Sequence, residues 1–206
     1  MNITFLRKIA VLLLLSLSFL TRSPAAETGS NSGLLGTNYF GATYAWHNLS
    51  DSPVDAYGFA FECNWVVRAN LDFSLNYDWL QTDEFFGLRA RQQTMLVGLR
   101  SFTAEGKTRY YFEAAAGWAW ADVGGMLSDD SSVYRLGIGA EFTLTPSTTV
   151  TPFIFYQGYG SSGSSGTFNF GLKANAWVSR HWALTASLSA DDNRNTAYAL
   201  GVNFHF

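Results

Sequence analysis

The sequence predicts an all-β chain folded as a transmembrane antiparallel up-and-down β-barrel of about ten strands. Three observations carry that prediction: apolar and polar residues alternate in segment after segment, tryptophans collect near segment ends, and the composition is aromatic yet poor in charge. Aromatic residues make up 17% of the 206 and charged residues only 14%, where an ordinary soluble domain has about 25% charge. Mean hydropathy is nonetheless near zero, and beyond residue 26 no apolar run approaches the roughly 18 residues of a spanning helix. A sheet with one face toward lipid resolves the conflict, since its exposed half is apolar and its hidden half polar.

The first 26 residues are set aside as a cleaved signal peptide, leaving 27–206 as a single barrel domain. Arg7 and Lys8 precede an apolar run from Ile9 to Leu20, and the small residues Ser23, Ala25 and Ala26 follow, with cleavage expected after Ala25 or Ala26. Twelve helical residues span only about 18 Å, too short for a permanent anchor. Of the 13 basic residues Arg7, Lys8 and Arg22 leave with the leader, so 10 face 16 acidic ones and nucleic-acid binding has no electrostatic support. A lone Cys63 forms no internal disulfide and no multi-cysteine metal site.

Each strand is read from its period of two. Tyr57, Phe59, Phe61, Cys63 and Trp65 share one face against Gly58, Ala60, Glu62 and Asn64. Leu71, Phe73, Leu75, Tyr77 and Trp79 oppose Asn70, Asp72, Ser74, Asn76 and Asp78, a pattern that would scatter charge all round a helix. Further segments repeat it: Tyr134, Leu136, Ile138, Ala140 and Phe142 oppose Arg135 and Glu141, and Phe168, Phe170 and Leu172 oppose Asn169 and Lys173. Turn signals then delimit strands at 37–46, 56–66, 70–80, 92–102, 109–121, 132–144, 149–158, 167–178, 182–190 and 196–206. Ten is the count; eight and twelve stay open, because the first, fourth and seventh segments alternate poorly.

Connector lengths alternate. Short turns at 67–69, 103–108, 145–148 and 179–181 take turns with longer polar loops at 47–55, 81–91, 122–131, 159–166 and 191–195. If the first strand runs outward, Trp46, Trp79, Trp118 and Trp120 fall near outer ends and Trp65, Trp177 and Trp182 near inner ends. That makes two interface belts, where the indole ring prefers to sit.

The last segment places Tyr198, Leu200, Val202, Phe204 and the terminal Phe206 on one face. It resembles the C-terminal signature of Gram-negative outer-membrane β-barrel proteins, and with the leader and strand pattern the chain is most similar to the small OmpA-transmembrane-domain and OmpX-like class. The resemblance implies an outer-membrane location with lipid and lipopolysaccharide around the barrel. It also implies recognition of the Phe206-terminated strand by the barrel-assembly machinery; a monomer without a cofactor is expected.

The inward set is expected to contain Glu62, Asp72, Asp78, Glu113 and Glu141 against Arg100, Arg135 and Lys173, with His205 near the inner mouth. Ionisable groups at membrane depth must be paired or hydrated. Side chains fill a barrel of eight to ten strands, so an ion-paired, closed lumen with a structural or surface-interaction role is the leading expectation. A narrow porin-like channel is the alternative, its acidic excess favouring cations; an adhesin and a lipid-modifying enzyme are weaker readings.

No catalytic or metal residues are expected. His47, Ser50, Asp51 and Asp55 superficially suggest nucleophilic hydrolysis, but His47-Asn48-Leu49-Ser50 lacks the His-x-Ser motif of the lipid A deacylases among such barrels. Asp83–Glu84 and Asp191–Asp192 are ordinary loop acids, and Asp122, Asp129 and Asp130 lack EF-hand spacing. Gly158 to Gly163 matches G-x-G-x-x-G yet leads into a strand, which removes the helix N-terminus that would hold a phosphate.

Overall fold

Period-two patterning commits each segment to a two-faced strand, and the computed structural model joins ten of them edge to edge. It describes residues 33–50, 52–125, 127–160 and 166–206; the expected leader, Asp51 and most of the Gly/Ser stretch after Gly160 lie outside these. The strands are β1 (Tyr39–Asn48), β2 (Ala56–Arg68), β3 (Leu71–Thr82), β4 (Ala90–Glu105), β5 (Thr108–Val123), β6 (Leu127–Thr145), β7 (Thr148–Tyr159), β8 (Thr167–Trp177), β9 (Trp182–Asp191) and β10 (Thr196–His205). Every sequential pair is antiparallel, and β1 closes on β10 from Tyr39↔His205 to Asn48↔Thr196. The barrel is therefore all-β and up-and-down. Its two termini share one end, here the terminal end; the opposite end is the far end.

Closure fixes which face meets which solvent. Phe59, Leu99, Phe112, Ile138, Phe170 and Leu200 all stand exposed on the outer wall, with Ile138 at 55% and Phe112 at 50%. So continuous an apolar surface suits hydrocarbon, where each backbone group is already bonded within the sheet. Aromatic ladders run across it: Phe40, Phe61 and Tyr77 stack with centroids 6.1 and 6.5 Å apart, and Phe59 lies between Tyr44 at 5.3 Å and Trp79 at 6.2 Å. Leu200, Val202, Phe204 and Phe206 of the last strand share this exposed face, and Tyr198 pairs with Trp46 of β1.

Six tryptophans have the outward parity of their strands. Trp46, Trp79, Trp118 and Trp120 lie toward the far end, Trp65 and Trp182 at the terminal end. Trp177 departs from the expected belt. It has the lumen-facing parity of Asn175, and its ring lies 4.0 Å from that of the buried His205.

The central hairpin is longer than the alternation indicates. The segment read as a loop at 122–131 is mostly paired strand, with Asp122↔Ser128 and Val123↔Leu127 extending the β5–β6 ladder, so Asp122, Asp129 and Asp130 are strand residues. Gly124 and Gly125, at φ +60° and +72°, supply the left-handed conformation that reverses the chain sharply there. β6 runs on from Val133, its outermost partner of β7, to Leu127.

Placing a charge on the lipid face tests this orientation. Ile138→Arg is expected to destabilise vesicle-folded protein by about 2–4 kcal/mol in urea titrations. Phe86→Arg, at the 89%-exposed tip of the β3–β4 connection, should leave the midpoint unchanged.

Candidate functional site: the lumen

Alternation that turns Phe59 and Phe61 outward turns Glu62 inward, and neighbouring strands bring their own ionisable residues to its level. Arg100 of β4 faces Glu113 of β5 in direct cross-strand register. Its Nε and Nη2 both donate to Glu113 Oε2, at 2.9 and 2.6 Å, and Nη2 reaches Glu62 Oε1 at 3.3 Å. From the other side Lys173 Nζ meets Glu62 Oε2 at 3.1 Å, and the buried Tyr39 hydroxyl donates to Glu62 Oε1 at 2.6 Å. The guanidinium also lies 5.4 Å over the Tyr111 ring. Glu62 thus links β4, β8 and β1 across the lumen, each carboxylate oxygen held by charge-assisted hydrogen bonds.

Asp72 and Glu141 serve a different partner. Ahead of β1, residues 33–38 fold into the terminal end of the barrel, with Leu34 and Leu35 only 4% and 3% exposed. Leu34 N donates to Glu141 Oε2 and Gly36 N to Asp72 Oδ2, both at 2.8 Å. Arg109 Nη1 donates to Leu35 O at 2.7 Å while lying 3.6 Å from Glu141 Oε1, and Asn64 Nδ2 donates to Thr37 O at 2.8 Å. The carboxylates thereby satisfy backbone N–H groups that would otherwise be buried bare. Sequence reading passed over this segment and Arg109. The adjacent pair Leu34-Leu35 in an otherwise small and polar approach to the first strand was its available signal.

Arg135 and Asp78 stand apart from the network. Arg135 Nε and Nη2 donate to Gln157 Oε1 at 3.2 and 2.9 Å, with the guanidinium 4.6 Å over the Phe155 ring. Among the described residues Asp78 has no ion pair within 4 Å and no hydrogen bond. Nor is the interior wholly polar. Leu96, Ala115, Ala119 and Val133 form an apolar cluster on the inner wall of β4 to β6, where those strands put small and branched side chains inward.

Among the described residues, cavities lie both above and below the Glu62 network. One of about 480 Å³ lies toward the far end; a smaller one of about 170 Å³ lies between the Glu62 network and Leu34–Leu35. Glu62, Arg135 and Lys173 border both.

At the far rim His47, Ser50 and Asp55 share no hydrogen bond among the described residues, and Asp51 lies outside them. Ser50 Oγ donates to Asn193 O at 2.6 Å, and Asp55 Oδ1 accepts from Asn48 Nδ2 at 3.0 Å. The Ser50 bond ties the β1–β2 connection to the β9–β10 one, while the Asn48–Asp55 bond stays within the first.

No protein-family model matches the chain, and no curated protein matches it. Solved structures share its fold. The NanC porin aligns at 9% identity and a TM-score of 0.50, over 81% of this chain and 100% of that one. Neisserial surface protein A aligns at 12% and 0.46, over 82% and 96%. Ail, the attachment invasion locus protein of Yersinia pestis, aligns at 11% and 0.42, over 82% and 97%. The chain is a small closed up-and-down β-barrel, the fold that the terminal-strand resemblance implies; likeness at these identities is one of fold.

Removing the shared cation tests the network. Arg100→Met leaves Glu62 and Glu113 facing each other without it, and urea unfolding from vesicles is expected to register a loss of about 3–5 kcal/mol. Arg100→Lys should recover only part of this, because an ammonium cannot repeat the two-nitrogen contact with Glu113.

Proposed function

We propose that the protein is an integral outer-membrane barrel with a structural or surface-interaction role and a lumen closed to through-flow. It would be exported by the 1–26 leader, assembled through its Phe206-terminated strand, and embedded as a monomer in lipid and lipopolysaccharide. The observation that carries this reading is the inward-folded segment at 33–38. Two buried leucines fill the terminal end, and Asp72, Arg109 and Glu141 hold the backbone in place. Above it the Glu62–Arg100–Glu113–Lys173 network crosses the lumen a second time. Charges so mutually satisfied have little to gain from hydration, so opening such a barrel would cost both the ion pairs and the leucine burial. No catalytic role belongs to this reading.

A narrow channel is the second reading, favoured by one observation. The two cavities are bordered in common by Glu62, Arg135 and Lys173, so movement of side chains alone could join them.

Planar-bilayer recording separates the two. Folded protein is expected to give no reproducible unitary conductance, and deletion of residues 33–37 combined with Arg100→Ala should produce one. Stable conductance steps from the unaltered protein, reduced or abolished by Lys173→Met, would establish the channel instead.

A further inference from the structure

The far-end cavity has a lining that neither closure nor membrane insertion requires. One wall is cut back to small and hydroxylated side chains: Thr185, Ser187 and Ser189 on β9 face it, beside Thr43 of β1. Larger residues at these inward positions would have filled the lumen, as Leu96 and Val133 do on the opposite side of the barrel. The cavity exists because this wall is small.

Across from the hydroxyls stand Arg135 and Asp78. Gln157 occupies Nε and Nη2 of Arg135, which leaves Nη1 without a hydrogen bond among the described residues, and Asp78 has its full accepting capacity free. A guanidinium donor and a carboxyl group are thus open in one chamber, while the neighbouring charges Glu62 and Lys173 already satisfy each other. Beside them Phe153 presents an aromatic ring to the lumen. A Cβ at Gly171 would strike that ring, so the glycine makes the room that lets it lie against the wall.

These features specify a solute. It should carry many groups that both donate and accept hydrogen bonds, to match hydroxyls, a guanidinium and a carboxylate together. It should be neutral, since a fixed anion would meet the Asp78 carboxyl group and a fixed cation the Arg135 guanidinium. It should have one apolar C–H face for the ring. About 480 Å³ is within the usual size of small-molecule sites. We propose that this cavity is a binding site for a small neutral polyhydroxylated solute, of mono- or disaccharide size, entering from the far end. Arg135 and Asp78 bond its hydroxyls from one side, Ser187 and Ser189 from the other, and Phe153 packs on its ring face. The proposal does not depend on closure at the terminal end, because binding and conductance are read separately.

Calorimetric titration of the folded full-length barrel with glucose and with maltose tests it, in a detergent without a sugar headgroup and with glycine as a zwitterionic control. Saturable heat is expected for at least one sugar and none for glycine. Arg135→Gln should weaken binding at least about tenfold, as loss of a hydrogen bond from a charged group does. Ser187→Phe, which fills the cavity from its hydroxyl wall, should abolish it. The shift in electrophoretic mobility on boiling reports that each variant is folded, and Arg135→Gln decides alone if Ser187→Phe is not. Absence of saturable binding for both sugars, binding that both folded variants retain, or glycine binding in place of sugar would each overturn the assignment.

Discussion

Hydrocarbon gives a peptide N–H or C=O no alternative partner, so a sheet that enters it must have no edge. Here the pairing of β1 with β10, carried from Tyr39↔His205 to Asn48↔Thr196, removes the edge. Much else follows from that seam. Once the sheet is a tube, strict alternation leaves each side chain a choice of lipid or lumen. The ionisable residues of β2 to β8 are forced into a space a few side chains wide. Crowding then favours pairing, though Asp78 has no ion pair among the described residues. Glu62 is held by Arg100, Lys173 and Tyr39 because no other place at that depth accepts a carboxylate.

The lumen that results is uneven. On the side of β4 to β6 it is packed with Leu96, Val133 and alanines, much like a small soluble core. On the side of β9 and β1 it is lined by serine, threonine and glycine and left partly empty. Between these the ion pairs act as a crossbeam, and the inward turn ahead of β1 packs leucine side chains and backbone amides into the terminal end. Stability and vacancy are thereby placed in different sectors, so the empty sector could change without disturbing the packed one.

The fold was legible because its signal is repeated. Ten alternating segments, each weak alone, agree on one architecture, and a strand start misplaced by one residue at Leu71 or by two at Ala90 does not alter the count. Long hairpins were harder. Asp122, Asp129 and Asp130 look like loop acids because pairing above the membrane needs no apolar alternation, and polar residues in such strands carry no period to read. The lumen was legible by parity but not by partner. Alternation puts Arg135 and Arg100 equally inward, yet one meets two carboxylates and the other a glutamine and a phenyl ring, a difference set by register across several strands. Trp177 was misread for a related reason: nearness to a strand end says nothing of which face the ring takes. Glycine and serine positions along β9 and β10 gave no warning of a cavity, since small residues are common in any sheet.

The extended β5–β6 hairpin gives the barrel a front and a back. β6 continues six residues past its outermost pairing with β7, from Val133 to Leu127, which is about 20 Å of strand, while β1, β9 and β10 stop at ten residues each. The far rim is therefore tilted, high behind the packed sector and low beside the empty one. Among the described residues, a molecule approaching along the membrane surface would meet the hairpin as a wall on one side and the short strands β9, β10 and β1 as a low sill on the other.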